Sequence, residues 1–454
     1  MKKSIYTSAL ALLLLAGSGC RKFVEIDQPG TRPLKNTADF DALLNSSYNM
    51  TTTFSYPWAA CDDIDVTDAS VQGRITNVMK QAYIWADYIV GDDANDGDWD
   101  RIYKQVYVCN QIVDAVMTSI GGTDQQKRLI LAKAKMFRAM AYMDLVNVYA
   151  KHYDPATAAT DPGVPLVLRA AVEGVSLVRV PVKQVYEQIT KDLLESVPDL
   201  QGMAGTTVEA SQGAAFALLA RENLYMANYA DAARYADSAL ARNNKLIDLA
   251  AYPNGVGFPD KMSNPEMYLF RVIGSSNLVF YPMAADLQAL FATNDLRWSI
   301  YTIDGKDFSV PFSGRAFRKY RLTIDGAFCG LDVPEVLLTK AEGLARTNQP
   351  QAAMDVVNTL RKKRFLAADY QPLTAADATS ALKIVLEERR RELMGRGIRL
   401  FDQKRLNREP QFAKTVTRTL LGTTYVLEPN SNKYVFPIAS KYVSLNPEIV
   451  QNPR

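Results

Sequence analysis

The feature that most constrains the fold of this chain is a helical spacing of apolar residues that recurs along most of its length. Apolar side chains return at three- and four-residue steps through 101–149 and again at about 182–196, which is typical of amphipathic helices. Two later stretches each form a pair of such helices, interrupted at Asn228 and at 348–350. Their alanines fall on the spacing of a tetratricopeptide repeat, whose small side chains let two antiparallel helices approach closely. Because one such pair cannot bury its own apolar face, the sequence predicts a predominantly all-α fold in which helix pairs stack into a tetratricopeptide-like scaffold.

Two stretches, about 46–100 and 245–332, interrupt this period with glycine, proline, asparagine and aromatic residues. Stretches of this length inside a compact domain are usually functional or contain small sheets, so long irregular loops and minor β structure are expected. Aromatic rings carried outward on such loops can stack on sugar faces, although for any single ring burial in the core is the commoner arrangement. Small and polar neighbours make Trp58 the ring most expected at the surface. The candidate ligand-binding residues are Tyr56, Trp58, Trp298 and Tyr301.

The first twenty residues have the pattern of a secretion signal rather than of a folded element. Residues 1–19 combine a positive start, an apolar run that is too short to cross a bilayer and a stretch of small residues, and Cys20 follows directly. This arrangement resembles the lipobox of a bacterial lipoprotein, in which Cys20 becomes the acylated first residue and anchors the mature chain in a membrane. An ordinary cleaved signal followed by a chance cysteine is the alternative.

A single histidine, His152, excludes multi-histidine metal centres and mechanisms that need a pair of imidazoles. It follows a predicted helix end, where the helix dipole would favour a positive ring. The P-loop, the nucleophile elbow and the metalloprotease H-E-x-x-H motif are all absent from the sequence. The near balance of 52 lysine and arginine residues against 49 aspartate and glutamate residues gives no reason to expect a nucleic acid partner. These features weaken the common hydrolase and metalloenzyme interpretations, and no cofactor or metal is expected.

Three cysteines follow Cys20, and their odd number leaves at least one thiol free. Cys61, Cys109 and Cys329 show no C-x-x-C or cysteine–histidine pairing, so buried structural thiols are expected. Cys109 lies in helical register with the apolar residues around it, which predicts a position on a core face.

Two charged runs have both a functional and a structural interpretation. The acidic run 91–100 suggests calcium, but aligned on Gly97 as the loop glycine it has Tyr103 where an EF-hand needs glutamate. We therefore expect a solvated turn that caps the following helix, with calcium near Asp96 left open. The run 387–392, E-E-R-R-R-E, could mark an anion site, yet its arginines point in different directions on a helix and alternate with glutamates. Ion-paired packing is the prediction there.

With these segments placed, the chain resembles the SusD/RagB family of outer-membrane lipoproteins in Bacteroidetes-type nutrient uptake systems. The resemblance runs over nearly the whole mature chain and is most specific in the C-terminal half. It is carried by Trp99-Asp100-Arg101-Ile102-Tyr103 with Asn110, Arg389-Arg390-Arg391-Glu392-Leu393, Arg399-Leu400-Phe401-Asp402, Phe436-Pro437-Ile438 and Gln451-Asn452-Pro453. One departure is Ala439, where the family often has a second proline.

This resemblance implies a helical protein in which an N-terminal half, 20–244, packs with a C-terminal half, 245–454, as one globular unit. It implies a lipid-anchored position on the cell outer membrane, facing the exterior. The implied function is capture of oligosaccharides without catalysis and their delivery to a SusC-like TonB-dependent outer-membrane barrel. The family shares no ligand-binding motif, so no binding residue carries over to this chain.

Three alternatives stay open at the level of sequence. A peptide-capturing member of the same family would favour a groove with charged and backbone-pairing groups. A secreted glycan hydrolase would need two carboxylates facing each other across a cleft at roughly 5 to 9.5 Å. An interaction scaffold would use the helix pairs to hold a partner protein.

Overall fold

The computed structural model describes residues 34–45, 50–171, 173–274, 281–318, 322–323 and 326–454. The predicted signal 1–19 and the predicted lipid anchor Cys20 lie outside this part of the chain. The α-helices within it are α1 (Thr37–Asn45), α2 (Tyr56–Ala60), α3 (Ala69–Gln72), α4 (Asn77–Tyr83), α5 (Gly97–Ala115), α6 (Asp124–Tyr149), α7 (Val182–Ser196), α8 (Gln212–Tyr225), α9 (Tyr229–Leu240), α10 (Ala285–Gln288), α11 (Leu296–Tyr301), α12 (Val333–Arg346), α13 (Pro350–Arg361), α14 (Ala378–Glu392), α15 (Arg399–Leu406) and α16 (Ser440–Leu445). Among the described helices, none combines the length and the apolar character needed to cross a bilayer.

The strands are short and pair two by two. They are β1 (Thr52–Thr53), β2 (Pro162–Pro165), β3 (Arg179–Pro181), β4 (Met267–Leu269), β5 (Val272–Ile273), β6 (Thr302–Asp304), β7 (Arg315–Phe317), β8 (Leu322–Thr323), β9 (Gly326–Ala327), β10 (Leu331–Asp332), β11 (Val416–Leu420) and β12 (Thr423–Leu427). β1 and β5 pair in parallel, whereas β2 with β3, β4 with β10, β6 with β7, β8 with β9 and β11 with β12 pair antiparallel. The minor β structure expected from the sequence is confirmed.

The long helices stack one on the next. α5 packs on α6, α6 on α7, α7 on α8 and α8 on α9; α9 then contacts α12, which contacts α13 and α14. The predicted interruptions are confirmed, since α8 ends at Tyr225 before α9 begins at Tyr229, and α12 ends at Arg346 before α13 begins at Pro350. The fold is therefore predominantly helical and built on helix pairs, as predicted.

Small side chains allow the close approach of α9 and α12. Ala232, Ala236 and Ala239 of α9 are completely buried. A Cβ atom added to Gly343 of α12 would lie only 2.6 Å from the backbone oxygen of Tyr229. The alanine spacing thus has the role that the helix-pair pattern predicted.

Side-chain caps fix where several helices begin. Thr123 and Gln126 form a reciprocal capping box at the start of α6. The Asp332 carboxylate accepts the N–H of Glu335 at the start of α12, and Asp377 caps α14. These caps satisfy backbone donors that have no partner within the helix.

Apolar packing is continuous across most of the molecule. One cluster of buried side chains runs from Phe40 near the start of the described chain to Ile449 near its end. A smaller cluster lies between α12, α13 and α14. The free thiols of Cys61, Cys109 and Cys329 are all buried, which confirms the prediction for them.

Candidate functional site

The acidic turn before α5 caps that helix and is mostly exposed, as predicted, but Asp96 and Asp98 within it are buried. The Asp96 carboxylate accepts the N–H groups of Asp98 and Trp99 at 3.0 and 3.2 Å. The hydroxyls of Tyr56 and Tyr149 donate to the same carboxylate at 2.7 and 2.9 Å, so they replace water around it. Asp96 and Asp98 are each only 1% exposed, and burial raises the pKa of Asp96 to about 6. Across the described residues, no group of three or more histidine, cysteine, aspartate or glutamate side chains is arranged to hold a metal ion.

The expectation that Trp58 lies at the surface is wrong. Its side chain is completely buried, and its indole N–H donates to the backbone oxygen of Gly395 at 3.0 Å. The ring meets Tyr281 and Phe317 edge-on, at centroid distances of 5.0 and 5.9 Å. The small neighbours that suggested exposure instead let the whole of α2 pack inside the core, where each of its residues is buried.

Two other candidate rings are buried as well. Tyr56 and Tyr301 are each 2% exposed. Tyr56 donates to the buried Asp96 carboxylate, and the Tyr301 ring meets Phe258 edge-on at 6.2 Å. A sugar cannot reach either ring in this structure, so these residues belong to the packing beneath the surface.

Trp298 is the candidate ring that the structure leaves half-buried. It lies on the short helix α11, with the Phe291 ring tilted against it at a centroid distance of 5.7 Å. The Arg315 guanidinium lies 4.5 Å from the centre of the indole, a cation–π geometry. We name the side chains of Phe291, Trp298, Asp304, Arg315 and Arg318 the aromatic surface.

The hairpin formed by β6 and β7 supplies the charged part of this surface. Asp304 and Arg315 are directly opposite each other in the strand pairing. Arg318, just after β7, donates to the backbone oxygens of Ser299 and Asn254 at 2.9 and 3.0 Å. Partial burial lowers the pKa of Arg315, and the Asp304 carboxylate opposes this shift. An indole beside guanidinium and carboxylate groups offers both an apolar contact and hydrogen bonds to a polar ligand.

A buried ion-pair network holds α11, and with it Trp298, on the helical scaffold. Asp295 caps α11 and binds the Arg297 guanidinium at 2.7 Å. Arg297 also donates to Glu388 and Glu392 of α14, both at 2.8 Å. All of these groups lie in the interior, and the surrounding arginines hold the pKa of Glu388 well below its usual range despite its burial. Trp298 is therefore next in sequence to Arg297, the residue that this network anchors.

The arginines of the run 387–392 form ion pairs with different partners, which confirms the predicted packing role. Arg389 pairs with Asp402 at 2.9 Å, and Arg390 pairs with Asp63 at 2.9 Å. Arg391 pairs with Glu388 of its own helix at 2.9 Å. These carboxylates neutralise the run where it packs against the rest of the fold.

A second feature was not predicted from the sequence, namely a polar cavity of about 520 Å³ beside the end of α6. Its walls come from 151–161, 404–408 and 430–435, which are far apart in the chain. His152 lines it, and burial together with Lys404 and neighbouring arginines holds the pKa of that imidazole well below its usual value. The expectation of a positive ring at this helix end is therefore wrong, because burial, with the nearby cations, disfavours the charged form more than the helix dipole favours it. The only local signal of this cavity is the run of polar residues at 430–432.

Family models match two parts of the chain. A SusD-like model described as starch-binding associating with the outer membrane matches residues 22–224, and the SusD family model matches residues 333–454. The aromatic surface lies between the two matched ranges, so neither match assigns a role to its residues. No match was found among the curated proteins.

Solved structures share the fold across nearly their whole length. A SusD superfamily protein from Bacteroides thetaiotaomicron has a TM-score of 0.76 and 18% identity, with 92% of this chain and 100% of that chain covered. A SusD-like carbohydrate binding protein from Bacteroides vulgatus has a TM-score of 0.70 and 19% identity, with 91% and 97% covered. A laminarin binding SusD-like protein has a TM-score of 0.67 and 18% identity, with 92% and 99% covered.

The helix-pair fold, the matched ranges and these structural neighbours agree with the motifs in the sequence. The chain belongs to the SusD/RagB family, whose members are carbohydrate-binding proteins associated with the outer membrane.

Proposed function

We propose that this protein is a cell-surface lipoprotein that captures oligosaccharides and delivers them, without chemical change, to a SusC-like TonB-dependent outer-membrane transporter. Acylated Cys20 anchors it in the outer membrane, and the folded chain faces the cell exterior. The observation that carries the capture role is the aromatic surface, where a half-buried Trp298 lies beside the Arg315 guanidinium.

The chemistry of this surface suits a sugar. The exposed part of the Trp298 indole can pack on the apolar C–H face of a pyranose ring, while Arg315, Arg318 and Asp304 can exchange hydrogen bonds with its hydroxyls. The anchor at Arg297 supports the same function because it fixes the backbone beneath Trp298 before a ligand arrives. Preorganisation of this kind reduces the entropy lost on binding.

The pairing of acidic side chains favours capture over hydrolysis. A glycoside hydrolase needs one carboxyl group to act as an acid and a second carboxylate nearby to act as a base or nucleophile. The two carboxylates that line the polar cavity are bound to cations, Asp154 to Arg408 at 2.6 Å and Asp161 to Lys151 at 3.0 Å. Asp96, whose pKa is raised, is occupied as a helix cap.

The first test is equilibrium binding of the purified protein to a panel of soluble polysaccharides and peptides, followed by chromatography of the recovered ligand. We expect binding to one class of glycan, with the ligand recovered intact. Trp298→Ala should weaken that binding by about tenfold or more, equivalent to about 1.4 kcal/mol. Tyr88→Ala is the matched control, because Tyr88 is an aromatic residue that is 58% exposed and lies outside the aromatic surface.

Each other outcome contradicts a stated part of the proposal. Shortened glycan products would overturn the absence of catalysis. Binding to peptides alone would keep the family and change the substrate class. Glycan binding that is equally strong in Trp298→Ala would show that the ligand uses another surface.

The anchor and the transporter partner need a separate measurement in cells. Cys20→Ser should abolish incorporation of a labelled fatty acid and release the protein from the outer-membrane fraction. The unaltered protein should co-purify from detergent-solubilised outer membranes with a large β-barrel protein. Lipid labelling that persists in Cys20→Ser, or purification without a barrel, would contradict these parts of the proposal.

A further inference from the structure

Two arginines of the aromatic surface meet at the C-terminal end of α11. Arg315 donates from Nη2 to the backbone oxygen of Trp298 at 3.2 Å, and Arg318 donates from Nη1 to the backbone oxygen of Ser299 at 2.9 Å. Because these two oxygens belong to consecutive residues, the two guanidinium groups are held near each other. Both side chains are half-buried. The fold thus places two positive charges together beside the indole ring.

Each guanidinium keeps N–H groups that the protein does not use. Arg315 donates a second bond from Nε to the Thr302 hydroxyl, and Arg318 donates a second bond from Nη1 to the backbone oxygen of Asn254. A guanidinium carries five N–H donors, so these bonds leave several over. Within the described residues, Arg315 Nη1 and Arg318 Nη2 have no acceptor, and neither nitrogen is buried. These donors are therefore open to a ligand.

Ion pairs do not balance the charge of these arginines. Among the residues that the structure describes, no carboxylate lies within ion-pair distance of Arg315 or Arg318, and Asp304 pairs instead with Lys306 at 3.5 Å. Burial lowers the pKa of Arg315, and the positive charge of Arg318 adds to this shift. The carboxylates of Asp304 and Asp307 oppose it. Three cations thus face two carboxylates along 302–318, which leaves one positive charge without a counterpart.

The surroundings fix the Arg315 side chain before a ligand arrives. The Trp298 indole lies 4.5 Å from its guanidinium, and the pairing of β6 with β7 sets its backbone opposite Asp304. The α11 helix beneath is anchored through Arg297. A planar guanidinium held in this way suits the oxygens of a carboxylate or a sulfate ester, and little entropy is lost when it binds one.

We propose that the aromatic surface selects acidic oligosaccharides, in which a singly charged carboxylate or sulfate ester accepts hydrogen bonds from Arg315 and Arg318. The sugar ring that bears this group packs against the exposed part of Trp298. The selectivity rests on the proposed capture of oligosaccharides and narrows its substrate class. One negative charge on a sugar matches the one positive charge of the hairpin that has no counterpart.

The test compares charged glycan fragments with neutral counterparts of the same linkage, by isothermal titration calorimetry on the purified protein. Fragments of polygalacturonate, alginate and hyaluronate are measured against their carboxyl-reduced forms, and fragments of κ-carrageenan against their desulfated form. We expect at least one charged fragment to bind about tenfold or more tightly than its neutral counterpart. The fragment that binds distinguishes a carboxylate from a sulfate ester.

Salt dependence tests the role of charge on the unaltered protein. Raising the ionic strength from about 0.1 M to about 1 M shortens the screening length from about 10 Å to about 3 Å. Binding of the charged fragment should weaken by about threefold or more, because the two guanidinium groups are partly exposed to solvent. An affinity that does not change with salt would contradict the proposal.

Two variants test the arginines directly. Arg315→Gln and Arg318→Gln each remove a positive charge and keep an N–H donor, and each should weaken binding of the charged fragment by about fivefold or more. Arg234→Gln is the matched control, because Arg234 also lies over an aromatic ring, that of Tyr235 at 4.1 Å, but belongs to α9. If Arg315→Gln does not fold, Arg318→Gln and the salt series still decide.

The outcomes separate this selectivity from the capture function. Equal affinity for charged and neutral fragments, with both weakened in Trp298→Ala, would overturn the selectivity and leave capture intact. Full affinity in both glutamine variants would also overturn it. Poly-L-glutamate that binds as tightly as the best charged glycan would show attraction of charge alone, which contradicts the proposal. Absence of binding to every glycan would overturn the capture function as well.

Discussion

The helix-pair region, α8 to α9 and α12 to α13, and the irregular stretch 245–332 are held in place by different combinations of contacts. In the helix pairs, completely buried alanines and the close approach at Gly343 let backbones pack on one another. In the irregular stretch, completely buried arginines do this work: Arg297 joins α11 to α14, and Arg364 joins the stretch to the same helix. Buried ion pairs also join the helix pairs, for example Arg221 of α8 with Glu335 of α12 at 2.6 Å, but there they add to a repeating shape that the irregular stretch lacks.

Arg364 shows why arginine suits this role. Its guanidinium donates to Glu266, to Glu392 and to the backbone oxygen of Ile247. A planar group with several N–H donors can hold two distant parts of a loop against one helix at once. Such buried pairs specify a position more than they add stability, since burial of the charges offsets much of their attraction.

The largest effect on stability is expected for Arg297→Met, which tests whether buried arginines position the irregular stretch. It leaves the carboxylates of Asp295, Glu388 and Glu392 without a shared cation in the interior. We expect the free energy of unfolding to fall by about 3–5 kcal/mol, measured by urea denaturation. A loss below about 1 kcal/mol would show that the irregular stretch is positioned by apolar packing alone.

Glu222 tests the contrast from within the helix-pair region. It is completely buried, accepts from Thr190 and has no cation partner among the described residues, and burial raises its pKa from 4.5 to about 8. The folded chain keeps this proton over a range in which the unfolded chain has lost it. The stability that the protonated group contributes is therefore complete below about pH 4.5 and is lost as the pH rises to about 8.

Glu222→Gln removes this dependence. The variant should gain on the order of 5 kcal/mol relative to the unaltered protein as the pH rises through that window. Chemical denaturation across the pH range measures the difference. Parallel stability curves for the two proteins would mean that Glu222 is ionised and paired in the folded state.

Gly343→Ala tests the helix-pair side of the comparison. The added Cβ would meet the Tyr229 backbone oxygen at 2.6 Å, so α9 and α12 must move apart. We expect a loss of about 1–3 kcal/mol in thermal or urea unfolding, although alanine is the better helix former. Gly97→Ala is the matched control, because the nearest atom there lies at an ordinary 3.8 Å.

The smallest effect is expected at Lys363. This residue follows α13 and pairs with Asp248 of the irregular stretch at 2.9 Å. Both side chains are 42% exposed. Lys363→Met should change the free energy of unfolding by less than about 1 kcal/mol, because water screens an exposed pair. A loss as large as that of Arg297→Met would show that burial is not what distinguishes the anchoring arginines.

The sequence predicted the helix pairs, their turns and the ion-paired arginines of 387–392, because these depend on spacing within a short segment. It did not predict the burial of Trp58, whose environment is supplied by Tyr281, Phe317 and Gly395 from remote parts of the chain. The half-buried position of Trp298 could not be predicted from the sequence either, since it depends on how α11 is anchored to α14.

By itself, the sequence determined the helical period, the small residues that allow helices to pack closely and the motifs of the SusD/RagB family. These are local properties, set by backbone geometry and by side-chain size at fixed steps along the chain. Only the tertiary structure decided which of the four candidate aromatic rings stays partly exposed, and that Lys404, Asn407 and Tyr434 meet around one cavity. The physical reason is that exposure, pairing and desolvation of a side chain depend on neighbours brought together by folding, and those neighbours lie far from it in sequence.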